Sequence, residues 1–185
     1  MCKLGLLFRY SLFVFSLLAA HYSLITAVSA QDNPLDFAPP PLRTVSKDEK
    51  TQLSELSDVK NHTKRALELM SDRLGQAEHL SSSSDLDGMY KELGGFQGLL
   101  DNTLEFLAKQ NSRSGKTLDN YKRFEIGLRA FEPRLETIRR DLPLRYEDYV
   151  RKLMVYVREA RSRAIEPMFD NLTEPPKKPG QLLMI

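Results

Sequence analysis

From Ser46 onward, apolar residues return every three or four positions, the period of a helix packed on one face. A first helix is predicted to open at Ser46-Lys47-Asp48-Glu49, a capping box in which the serine and the glutamate satisfy each other's backbone donors. It carries Leu53, Leu56, Val59, Ala66, Leu67, Met70, Leu74 and Ala77 and ends near Leu80, before the run Ser81–Ser84. A second helix begins around Asp85 and lines up Leu86, Met89, Leu93, Phe96, Leu100, Leu104 and Leu107 as far as the turn-forming stretch Asn111–Gly115. The third has the most regular stripe, Tyr121, Phe124, Leu128, Phe131, Leu135, Ile138 and Leu142, in heptad spacing. Pro133 falls inside it, removes one backbone donor and predicts a kink, not an end. The fourth runs from Pro143 with Tyr149, Val150, Leu153, Tyr156, Val157, Ala160, Ala164 and Met168 on its apolar face. No window alternates at period two between turn signals, so no sheet is expected. The pattern predicts an all-α fold, an antiparallel bundle of four long helices over residues 46–170.

The ends read differently. Residues 1–30 have the form of a secretory signal peptide: Lys3 and Arg9, the apolar stretch Tyr10–Ala20, and Val28-Ser29-Ala30 before Gln31. His21 and Tyr22 interrupt the apolar run, which argues for cleavage over an uncleaved anchor. Residues 31–45 hold four prolines, three of them consecutive, and are expected to form a semi-rigid, largely disordered arm. Residues 171–185, with Pro175, Pro176 and Pro179, read as a flexible tail. The protein is therefore expected to be exported, to the periplasm or beyond, with no membrane-spanning segment after leader removal.

Charge sharpens this reading. Lys3 and Arg9 are the only charged residues of the first thirty, so the rest of the chain holds 25 of the 27 basic residues against 25 acidic ones. A neutral mature chain offers no long-range attraction for nucleic acid or an anionic surface. The single cysteine, Cys2, lies in the leader, leaving the remainder without a disulfide, thiol nucleophile or thiolate metal site. His62 and His79 sit on one predicted helix at a spacing that turns them to different faces, and no Glu-x-x-His occurs. Both are expected at the surface or its boundary, and neither a metal nor a cofactor is implied. The acids stand four residues before arginines (Glu125/Arg129, Glu136/Arg140, Glu147/Arg151, Glu159/Arg163), the order of a solvated helix face, not of a catalytic carboxylate pair.

Two features invite a functional reading. Gly94, Gly95 and Gly98 crowd three glycines into five residues of a predicted helix, at about 1 kcal/mol each relative to alanine. They serve either a close approach or bend, or an interaction groove lined by Phe96. Arg139, Arg140, Arg145 and Arg151 are candidate contacts for an anionic partner, although interleaved acids argue for internal pairing. With no catalytic constellation assembled, the leading expectation is an exported, non-enzymatic bundle that binds another protein or an envelope component. A carrier holding an apolar ligand among Phe96, Phe106, Phe124 and Phe131 is the alternative, and an enzyme of unrecognised type the third. The heptad stripe would serve equally as a seam between two copies.

Overall fold

The computed structural model describes residues 37–111 and 114–173. The leader expected at 1–30, residues 31–36 of the expected arm and residues 174–185 of the expected tail lie outside the described residues, while residues 171–173 of that tail are helical. Among the described residues the protein is all-helical, with five helices and no strand. These are α1 (Lys47–Ser54), α2 (Val59–Ser82), α3 (Leu86–Ala108), α4 (Gly115–Arg140) and α5 (Leu144–Thr173).

Each start has a chemical cause. At α1 the capping box is present: the Glu49 backbone N–H donates to Ser46 Oγ (3.2 Å) and the Ser46 N–H to Glu49 Oε2 (2.7 Å). The segment expected as one helix from Ser46 to Leu80 is two, because Asp58 caps a new start by accepting from the Asn61 N–H at 3.0 Å. Asp85 does the same for α3 through the Gly88 N–H at 2.9 Å. α2 reaches Ser82 and closes in a Schellman motif, with Asp85 N–H donating to the Leu80 carbonyl (2.9 Å) and Ser84 N–H to that of Ser81 (3.1 Å). Ser84 holds the left-handed position at φ 63°, where glycine is the usual residue. α4 continues unbroken through Pro133, and α5 starts with the Pro143 carbonyl accepting from Tyr146 and Glu147.

The predicted stripes meet in one core. α2 packs along α3 and α4, and α4 along α5, while α3 meets α5 over a shorter stretch. Met70, Leu74, Met89, Leu93, Phe96, Leu100, Leu107, Phe124, Leu128, Leu135 and Leu153 are fully buried there, each side chain contributing about 1.5–3 kcal/mol by its removal from water. The heptad stripe Tyr121–Ile138 belongs to this internal core. Gly127 allows α4 to lie close on α2: a Cβ there would overlap Leu67 Cδ2.

Candidate functional site

α3 is buried on every side from Leu93 to Leu100, which an amphipathic surface helix is not. Its apolar stripe faces the core, where Phe96 meets Phe131 edge-to-face at 5.4 Å. The opposite face is covered by the chain's own residues 37–45, and the glycines explain how. A Cβ at Gly94 would lie 2.5 Å from the Leu42 carbonyl oxygen and 3.0 Å from Pro41 Cβ, and one at Gly98 would lie 2.9 Å from the Arg43 carbonyl oxygen. Only glycine lets the backbone of an extended segment rest on the helix at these two points. Gly95 makes room differently, for the Arg73 guanidinium, whose Nε would stand 3.0 Å from its Cβ.

The segment is held as a strap along the α3–α5 seam. Ala38 N–H donates to the Arg145 carbonyl on α5 (3.0 Å), and the Tyr90 hydroxyl of α3 donates to the Ala38 carbonyl at 3.4 Å. Arg43 pairs with Asp101 at 3.1 Å and lies over the Tyr156 ring, 5.6 Å from its centroid. Tyr156 in turn donates to Asp101. Beneath the strap, the buried Tyr149 hydroxyl donates to Gln97 Oε1 (2.9 Å), and Tyr90 meets both Tyr146 and Tyr149 edge-to-face at 5.2 and 4.8 Å. Burial pushes the Tyr149 hydroxyl well above its usual range and that of Tyr90 up to about 12, so both stay protonated donors. Two open cavities flank the strap. One, of about 510 Å³, lies between Pro41 and Leu42 and Tyr90, Arg73 and Glu92. The other, of about 490 Å³, lies between Pro40 and Arg43 and Tyr149, Tyr156 and Gln97.

Thus Gly94 and Gly98 seat the strap and Gly95 makes room for Arg73, while Phe96, expected to line a groove there, points into the core. The strap was expected as a largely disordered arm; from Phe37 onward it is seated. The signal that locates it is the coincidence of a glycine cluster with a proline run, two features that sequence alone does not connect.

The charged residues are engaged with one another. Arg73 binds Glu49 (2.8 Å) and Glu92 (2.7 Å), tying α1, α2 and α3 together. Burial pushes the Glu49 carboxyl up, and hydrogen bonds from Arg73 and Ser46 more than offset this and leave it below the usual range. Glu125 is nearly buried and accepts from Arg129 (2.8 Å) and Arg161 (2.9 Å), while Arg161 also pairs with Glu132. Of the four arginines proposed for an anionic partner, Arg139 is held by Glu136 (2.8 Å) and Glu147 (2.5 Å), Arg140 by Glu136 (3.0 Å) and Arg151 by Glu147 (2.9 Å). Arg145 lies 6.0 Å above the Tyr146 ring. The Glu136 carboxyl is lowered to about 2 by the hydrogen bonds from Arg139 and Arg140.

His62 departs from expectation. It is buried, not at the surface, and stacks on Phe106 at 3.5 Å between centroids and 9° between planes. Its Nδ1 has no hydrogen-bond partner, and burial lowers its pKa. His79 is exposed on the last turns of the same helix. Among the described residues no group of three or more His, Cys, Asp or Glu gathers to hold a metal, and no helix is long and apolar enough to cross a membrane. No family model, curated protein or solved structure matches this chain.

Proposed function

We propose that this chain is an exported, non-enzymatic protein that acts by binding another protein or an envelope component, with its four long helices forming an antiparallel bundle. One observation carries the reading: the α3–α5 seam holds an extended segment as a peptide-binding groove holds its ligand, with glycines below and tyrosines beside it. The charged groups support it, since Arg73, Glu125, Arg139 and Arg161 are committed to ion pairs that tie the helices together. The aromatic residues that motivate a ligand carrier are engaged in packing, Phe96 on Phe131 and Phe106 on His62. The antiparallel arrangement is supported by Arg73 meeting Glu92 while the earlier His62 meets the later Phe106. Export is supported by the leader pattern of residues 1–30.

Native mass spectrometry of the protein from the exported fraction of its source tests this. The reading predicts a chain that begins at Gln31 and carries no small-molecule mass, alone or in a discrete complex with a protein. A retained mass of a few hundred daltons would favour the carrier, and a chain beginning at Met1 in the cytosolic fraction would refute export.

A further inference from the structure

We propose that the α3–α5 seam reads extended proline-rich segments, that residues 38–45 occupy it in cis, and that a proline-rich segment of a partner protein binds by displacing them. The proposal rests on the interaction reading above and names the chemistry of the partner.

The first argument is periodicity. A polyproline helix repeats every three residues, so Ala38 and Pro41 fall on one face. They are the half-buried positions of residues 37–43, while Pro39, Pro40 and Leu42 face solvent; the period stops at the exposed Thr44, whose N–H turns back to the Leu42 carbonyl at 2.9 Å. The second is close approach. Gly94 and Gly98 are four residues apart, about 6 Å along an α-helix, and admit the successive carbonyl oxygens of Leu42 and Arg43. The third is hydrogen bonding. A helix has already used its backbone carbonyls, so an ordinary extended strand laid on α3 would leave N–H groups unmet. Pro39, Pro40 and Pro41 have none to satisfy. Of the N–H groups the strap does present, that of Ala38 donates to the Arg145 carbonyl beside the α5 start and that of Thr44 turns back to the Leu42 carbonyl. The fourth is the rim. Tyr90, Tyr149 and Tyr156 flank the prolines with apolar ring surface and polar tips, the lining that proline-reading grooves share. Beyond them Asp101 takes the cation at Arg43, which fixes the direction of the segment.

The strap is tethered directly to the capped start of α1, and a short tether gives a millimolar effective concentration against which any partner competes. The wild-type protein should therefore bind such a segment weakly, and weakening the strap should reveal the groove.

The test uses the full chain with Pro41→Gly and Arg43→Ala together, and a fluorescent peptide of the sequence FAPPPLRTV, that of residues 37–45. Fluorescence anisotropy should show the strap variant binding this peptide at least about tenfold more tightly than wild type. A peptide with alanine at the three prolines should bind several-fold more weakly, and adding Gly98→Leu to the strap variant should abolish binding. Equal affinity of wild type and a helical strap variant, or equal affinity for the alanine peptide, overturns the proposal. So does a stable dimer of the variant that takes up no peptide, since the groove would then belong to a second copy. Should the variant not fold, wild type titrated with millimolar peptide must show the Gly94 and Gly98 amide resonances shifting, and their remaining fixed overturns it. Failure of either arm leaves the broader interaction reading to the mass-spectrometric test, so the two fail separately.

Discussion

Gly94 on α3 faces the Leu42 carbonyl so closely that a single added carbon would lie 2.5 Å from the oxygen. This sets the sign of a substitution. In an uncovered helix, alanine for glycine stabilises by about 1 kcal/mol. Here Gly94→Ala and Gly98→Ala must push backbone atoms of the strap away. Both are expected to lower the midpoint of urea unfolding, and a stabilised Gly94→Ala protein would show that nothing covers that face.

Ser84 gives the opposite expectation. It occupies a left-handed backbone position at the end of α2, inside a Schellman motif whose two hydrogen bonds are formed. Glycine adopts that conformation without the side-chain clash, so Ser84→Gly should raise stability by roughly 1 kcal/mol in thermal or urea unfolding. No gain would mean that the loop is not held in that turn.

His62 predicts a pH dependence. Burial lowers its pKa from 6.5, so the folded state binds the proton less readily than the unfolded chain. Stability is complete above the unfolded value and is lost as pH falls below 6.5 toward the folded one. Thermal melts between pH 7 and 5.5 should show this loss in wild type and not in His62→Phe, which keeps a ring against Phe106. Glu49 and Asp58, both held below the ordinary carboxylate range, lose their contributions only at more acidic pH.

Tyr149→Phe isolates the polar contact beneath the strap. Its hydroxyl donates to Gln97 Oε1 in a buried setting, and removing it leaves that oxygen without its donor. The expected cost is about 1–2 kcal/mol. Adding Gln97→Leu should recover part of it, and strictly additive losses would show that the pair is not coupled.

The helices were legible because each side of the pattern had one cause. The stripes of Met70–Leu74, Leu93–Leu100, Tyr121–Ile138 and Val150–Ala164 are buried as their spacing requires. The break at Asp58 was not legible, since Leu56 and Val59 keep the helical period across it and only the cap at Asn61 reveals it. His62 was placed at the surface or its boundary because polar residues mostly lie there, and nothing in its neighbours announces the facing Phe106. The candidate site was half legible. The Gly94–Gly98 cluster was evidently unusual, but what fills it lies about fifty residues earlier, and a proline run carries no helical or strand period that would tie it to a glycine face. The arginines show the reverse: acid partners at four-residue spacing were readable, and Glu125 holds Arg129, Glu136 holds Arg140 and Glu147 holds Arg151, whereas Arg139 takes Glu136 at three residues and Glu147 across the turn.

The seat of the strap is the claim on which the functional account stands, and proton–proton NOEs measure it most directly. The account predicts cross-peaks between the Gly94 α-protons and the Pro41 β-protons, and between the Gly98 α-protons and a Val45 methyl group. Absence of both, with random-coil shifts from Ala38 to Val45 in a folded protein, would contradict it.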